Sequence, residues 1–286
     1  MRTATTLTDA LASRPLVLDG ATGTGLMALA PDVDPALGLE RLCADAPGLV
    51  RGLHEQHLRA GCDLVRTNTF CGSERDLSRR AAELASAAIE SLGASPRHVL
   101  GVVGPGRGRA DETSMGALVD AERDRAAGLA EGGVDAILVE TVTSLRRARA
   151  AAVAAADVAS DLPVFVSCTV GADGRLLDGS DLVEFAAFGR EHDAALLALN
   201  CAAGPASLDG PLAALRSAWD GPIGAWPNAG LPKEIDGALT WPLAPADLAA
   251  WCEHAVRRFD LRIVGGCCGT TAEHVGAVKD ALTSEE

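Results

Sequence analysis

The residues of this 286-residue chain best suited to chemistry are cysteines. Cys267 and Cys268 stand side by side in "VGGCCGTT" (264–271), between glycines and after the apolar run "LRIV". Adjacent cysteines seldom bond to each other, because the ring is tiny and strained. A third, Cys201, ends the run "AALLALNC" (194–201). Three thiolates select a soft or borderline metal, and zinc is the usual one. Gly265, Gly266 and Gly269 let the backbone turn sharply enough for neighbouring side chains to reach one ion. Three protein ligands leave a tetrahedral ion one open position, the arrangement of catalytic rather than structural sites. Such a centre already carries three negative charges. It activates water poorly, which argues against a hydrolase, and it suits a thiol substrate whose pKa it lowers. No C-x2-C pair is present. Cys43, Cys62, Cys71, Cys168 and Cys252 are expected to be small packing residues.

The elements that must position these thiols can be read from hydropathy. Eight short β-rich runs recur: "PLVLDG" (15–20), "CDLVRTN" (62–68), "HVLGVVG" (98–104), "VDAILVET" (134–141), "LPVFVSCT" (162–169), "AALLALNC" (194–201), "PIGAWPN" (222–228) and "LRIVGG" (261–266). Helical patterns rich in Ala, Leu, Glu and Arg lie between them, as in 46–61, 116–133 and 144–159. Alternating strands and helices imply parallel pairing. Eight units in a chain of this length, where a barrel typically takes about 250 residues, predict a single closed (β/α)8 barrel domain spanning 1–286, in the α/β class. In that fold the strand ends face the C-terminal mouth, where active sites are built. Polar residues collect there: Asp19 and Thr22, Thr67 to Thr69, Glu140 and Thr141, Ser167 to Thr169, Asn200, and Asn228. Only the seventh strand separates Cys201 from the Cys267–Cys268 pair, so all three can converge on one ion at the mouth. The long connections after strand 1 (20–46) and strand 7 (228–245) are expected to be rim loops.

Composition narrows the function classes. A formal net charge of −14 repels phosphate backbones and anionic lipid, so neither nucleic acid nor membrane is an expected partner. No apolar run approaches the roughly 18 residues of a membrane span, and no secretory h-region opens the chain, so a cytoplasmic protein is expected. His54 and His57, three apart on a helical pattern, are expected on a solvated face. "GVVGPGRGR" lacks the phosphate-loop pattern, but its Arg107 and Arg109 are candidates to meet an anionic donor.

The ordered set "LDGATGT", "TNTF", "VGP", "ETVTS", "VSCT", "NC", "PNAG" and "GGCCGTT" resembles the homocysteine S-methyltransferase family from about residue 15 to 283. Its wording is similar to the homocysteine-binding module of cobalamin-dependent methionine synthase. The resemblance implies zinc held by Cys201, Cys267 and Cys268. It implies recognition of the amino-acid end of homocysteine by Asp19 and Glu140, helped by the backbone of the Gly20–Thr24 turn. A carboxylate pair can hold an ammonium by charge-assisted hydrogen bonds. Asn228 would bind substrate or lend its oxygen to the open metal position. The implied reaction makes methionine, with S-methylmethionine or S-adenosylmethionine as donor. A methylcorrinoid on a partner protein is the alternative donor, and another thiol or a selenol such as selenocysteine the alternative acceptor. No D-x-H-x-x-G cobalamin motif is present, so the chain is not expected to be a complete cobalamin-dependent synthase.

Overall fold

Eight parallel strands alternate with helices around the chain in a computed structural model that describes residues 6–72, 74–93, 97–105, 113–235 and 238–283. In chain order they are β1 (Leu16–Val17), β2 (Leu64–Arg66), β3 (His98–Val103), β4 (Ala136–Val142), β5 (Val164–Cys168), β6 (Leu196–Cys201), β7 (Ile223–Pro227) and, after a hairpin of β8 (Lys233–Ile235) and β9 (Ala238–Thr240), β10 (Leu261–Val264). The order in the sheet is β1-β10-β7-β6-β5-β4-β3-β2. Its two ends meet through a parallel bridge between Leu18 and Leu64, so the sheet curls into a barrel as the sequence predicts. All eight expected runs form strands. The rim connections after β1 and β7, expected as loops, contain helices Thr22–Leu29 and Leu42–Asp45 and the β8–β9 hairpin instead. Arg107 and Arg109 lie outside the described residues.

Period-two alternation divides the strand residues between two layers. Leu16, Leu64, Leu100, Val102, Leu138, Phe165, Leu196, Ala198, Trp226 and Ile263 fill the barrel interior. Helix Leu7–Ser13, capped by the Thr6 hydroxyl, adds Leu7 and Leu11 to that interior cluster. Val65, Val99, Val103, Ile137, Val139, Val166 and Leu199 belong to the layer shared with the helices. The helices start where the sequence supplies first-turn chemistry. Pro47 and Pro245 open Pro47–Arg59 and Pro245–Phe259. Asp181 and Glu184 form a capping box on Leu182–Glu191. Among the described residues, no helix is long and apolar enough to cross a membrane.

One expectation is corrected here. His54 and His57 are buried, not solvated. They share a face of Pro47–Arg59 with Val50, Leu53 and Leu58, the i, i+3, i+4, i+7, i+8 stripe that packs inward. The imidazole of His57 lies against Gly20, where an added Cβ would come within 2.8 Å of its Nε2. Burial lowers the pKa of each histidine to about 4, so both are neutral at pH 7. Their contribution to stability is therefore complete above the ordinary value of 6.5 and is lost as pH falls towards 4. Denaturant titrations should show unfolding free energy declining across that window, by up to about 1.4 kcal/mol per pH unit for each group. His54→Leu should flatten the decline. An equally steep decline in the variant would contradict this assignment.

Candidate metal centre

The ends of β6 and β10 bring three thiols together. The Sγ atoms of Cys201, Cys267 and Cys268 all lie within 4.8 Å of one another, and Cys201 and Cys267 are 3.0 Å apart. Cys201 and the following Ala202 adopt left-handed backbone, with φ of 60° and 58°, which non-glycine residues hold only when their surroundings enforce it. Asn228 supplies part of that enforcement. Its N–H donates to the Cys201 carbonyl at 3.0 Å, its Nδ2 to the Ala202 carbonyl at 2.9 Å, and its Oδ1 accepts from the Cys268 N–H at 3.0 Å. The side chain thus links the β6 and β10 ends, and both its oxygen and its nitrogen are engaged there. Two glycines make the β10 end possible. Gly265 lets the strand approach Leu18, whose Cβ would lie 2.7 Å from an added Cβ, and Gly269 takes a φ of 79° beneath Trp241.

Asn200, fully buried beside Cys201, points its Nδ2 at the thiols. It donates to Thr141 Oγ1 at 2.7 Å and lies 3.5 Å from Cys201 Sγ and 3.8 Å from Cys267 Sγ. Thr141 is itself left-handed, with a φ of 57°, at a register irregularity between Val139 and Val142 in β4.

The thiols do not share their protons equally. Cys268 is drawn down to about 3, because Cys201 and then Cys267 donate to its sulfur. Cys201 is driven far above the usual thiol range, first by its bond to Cys267. Cys267 stands at about 11; its bond to Cys201 lowers it, but Cys268 and burial raise it more. Hydrogen bonding within the cluster thus favours a thiolate at Cys268 at the expense of Cys201.

Beside the sulfurs lies a cavity of about 140 Å³. Its walls include Ala21 to Thr24, Arg66, Thr67, Asn68, Phe70, Cys71, Glu140 and all three clustered cysteines. The helix Thr22–Leu29 begins there with no side chain capping its first turn. Glu140 is buried at the wall; its Oε1 accepts from Arg66 Nη1 at 2.8 Å and Trp226 Nε1 at 3.0 Å. Burial raises the Glu140 pKa against the pull of Arg66. Asp19 is fully buried and not part of the wall. Its Oδ1 accepts from Arg66 Nε at 2.7 Å and its Oδ2 from the Arg66 N–H at 3.0 Å. Gly20 offers its carbonyl to Arg66 Nη2 at 2.9 Å. Burial opposes charge on Arg66, but Asp19 and then Glu140 outweigh it and keep the guanidinium charged.

The sequence reading thus brings the three cysteines and Glu140 to one cavity, while Asp19, Gly20 and Asn228 lie around it as supports. It missed Arg66 and Trp226, and it placed Asn200 at the mouth without giving it a task. A signal for Arg66 was present: a lone cation inside the apolar run "CDLVRTN" must find buried partners. Of the other cysteines, Cys43, Cys62, Cys168 and Cys252 are buried as expected, whereas Cys71 is half-buried on the cavity wall.

Replacing Asn200 by Leu removes the N–H that faces the sulfurs. Chelator competition should show metal affinity reduced about 10- to 100-fold, the usual effect of losing an outer partner of a ligand. Asn200→Leu with undiminished affinity would mean that the amide serves Thr141 alone.

Comparison with known proteins accords with this geometry. The homocysteine S-methyltransferase family matches residues 16–282. The methionine synthases of Mycobacterium leprae and Mycobacterium tuberculosis are 35% and 34% identical over 97% and 98% of this chain. The chain spans about a quarter of their length, 25% and 26%. The metallated form of the homocysteine methyltransferase MmuM from Escherichia coli superposes with a TM-score of 0.79 at 23% identity, over 93% of this chain and 96% of that one, and so shares the fold. From its strand-end motifs to its matched length, the chain belongs to the homocysteine S-methyltransferase family.

Proposed function

We propose that the protein transfers a methyl group to the thiol of homocysteine, giving methionine, with zinc held by Cys201, Cys267 and Cys268. The observation that carries this reading is the convergence of three sulfurs within 4.8 Å beside a substrate-sized cavity. An all-sulfur donor set fits zinc. When bound, zinc lowers the pKa of the acceptor thiol and so makes it a nucleophile at neutral pH. The chain's own residues bind and align. Glu140 Oε2, which carries no hydrogen bond, faces the acceptor's polar end, and the uncapped N–H groups of Thr22 to Thr24 receive its carboxylate. Asn200 and Asn228 keep the cysteines in position. The acceptor sulfur attacks the methyl carbon in line, and the bond from that carbon to the donor breaks with its electrons leaving on the donor. No protein nucleophile is needed; alignment supplies the protein's share of the rate.

Charge favours a sulfonium donor. Asp19 and Glu140 outnumber the guanidinium of Arg66, and three thiolates outnumber the two charges of zinc, so a cation such as S-methylmethionine or S-adenosylmethionine is drawn in and leaves as a neutral sulfide. The methionine synthases of which this chain spans a quarter favour a second reading, in which a separate partner delivers a methylcorrinoid. The same reading takes residues 1–286 as one homocysteine-binding barrel. A cytoplasmic setting, which keeps thiols reduced, suits it.

The deciding experiment offers homocysteine and zinc-loaded protein five donors: S-methylmethionine, S-adenosylmethionine, betaine, methyltetrahydrofolate and methylcobalamin. Methionine should form with a sulfonium donor. Cys268→Ala should lose more than the roughly 100-fold that loss of an outer partner costs. Turnover with methylcobalamin alone would select the partner reading, and no turnover with any donor would reject both. Thiols must lose their protons to hold zinc, so metal loading near pH 7 should release protons, countable by calorimetry in buffers of different ionisation enthalpy.

A further inference from the structure

We propose that Arg66 frees acceptor recognition from the α-ammonium group, so that the site takes small thiols bearing an anionic end and no amine as readily as homocysteine. This inference rests on the thiol-methylation reading above. Its basis is the engagement of both carboxylates that the family resemblance gives to a substrate ammonium. Asp19 has both oxygens on Arg66, through Nε at 2.7 Å and the backbone N–H at 3.0 Å. Glu140 Oε1 takes Arg66 Nη1 at 2.8 Å and the Trp226 indole at 3.0 Å. Arg66 Nη2 is held by three carbonyls, those of Asp19, Gly20 and Gly266. The guanidinium is thus an internal cation between the two acids, its Nη2 held by backbone, and its side chain is only 5% exposed.

A substrate ammonium has three donors and needs acceptors for them. Of the two carboxylates, only Glu140 Oε2 is left. An ammonium at that oxygen would also share one carboxylate with a guanidinium, and like charges at close range repel. The opposite end of an acceptor fares better. One Nη1 hydrogen of Arg66 makes no bond, Arg66 lines the cavity, and the uncapped turn at Thr22 to Thr24 lines it too. These groups are donors, and they select a carboxylate or sulfonate. Removing the amine from the acceptor therefore removes little that the site reads.

The matched probes are homocysteine, its des-amino form 4-mercaptobutyrate, and 3-mercaptopropylamine, which keeps an amine but lacks the carboxylate. Each would be titrated into full-length cobalt(II)-substituted protein, following the sulfur-to-cobalt absorption, with calorimetry on zinc-loaded protein as a second readout. A site built around two free carboxylates would reject the des-amino thiol by about 10⁴-fold. Here 4-mercaptobutyrate is expected to bind within about tenfold of homocysteine, and 3-mercaptopropylamine the weakest of the three. A preference for homocysteine beyond about tenfold, or 3-mercaptopropylamine binding best, would overturn the inference while leaving thiol methylation intact. If no thiol, homocysteine included, perturbs the metal, the thiol-methylation reading falls and this inference with it. Arg66→Gln vacates the ammonium position. Where it folds, its preference for homocysteine over 4-mercaptobutyrate should rise at least tenfold above the wild-type ratio, and an unchanged ratio would count against Arg66 as the cause. The wild-type series stands alone should that variant fail to fold.

Discussion

A single buried guanidinium holds the mouth of this barrel together. Arg66 ends β2, yet its bonds reach Asp19 and Gly20 beyond β1, Glu140 in β4 and Gly266 beyond β10. These contacts cross the β1–β2 junction, where pairing is reduced to one bridge at Leu18 and Leu64. Taking a charge out of water costs several kcal/mol, and the cost is offset only when every donor finds an acceptor in good geometry. Two carboxylates and three carbonyls receive all but one Nη1 hydrogen of the guanidinium. Loss of one partner from such an arrangement typically costs about 3–5 kcal/mol, because the remaining charge stays buried without compensation. The junction is therefore secured by electrostatics where backbone pairing is thinnest.

The thiols depend on a second, milder constraint. Cys201 and Thr141 hold left-handed conformations that cost about 1–3 kcal/mol each in isolation. Asn200 and Asn228 hold them there by cross-links between strand ends rather than along the chain. A left-handed residue at the end of a strand turns its side chain off the strand's regular alternation. At Cys201 that brings the sulfur 3.0 Å from Cys267. The unfavourable backbone is thus what makes convergence of three sulfurs possible from two strands separated by a third.

Much of this was legible in the sequence, and the exceptions have physical causes. The eight runs, their helical spacers and the barrel they form follow from hydropathy and length, which are local properties. The grouping of Cys201 with Cys267 and Cys268 follows once strand order is known. Arg66 was missed and the buried pair His54 and His57 misread, because burial of a polar group depends on partners distant in sequence. Arg66 finds Glu140 74 positions away and Gly266 200 positions away. For His54 and His57 the periodic signal existed, since they continue the stripe of Val50, Leu53 and Leu58, but residue type outweighed position in the reading. The hairpin of β8 and β9 lay within a Pro- and Gly-rich stretch whose composition predicts turns and says nothing of the short pairing between them.

The groups proposed for recognition and for metal binding share strand ends. Gly266, whose carbonyl receives Arg66, directly precedes Cys267. Glu140, which receives the same guanidinium, directly precedes Thr141, whose hydroxyl is held by Asn200 beside Cys201. Each strand of a parallel barrel offers only one or two residues at the mouth, so neighbouring positions on a strand end must serve different tasks. Arg66 is thereby tied to the side chain of β4 residue Glu140 and to the backbone of Gly266, next to Cys267. Exchange of the buried charge at position 66 therefore leaves these strand ends in place only if the new side chain preserves the same backbone contacts. An arginine, with five donors in a rigid fork, meets that requirement where a lysine, with three donors on a flexible stem, does not.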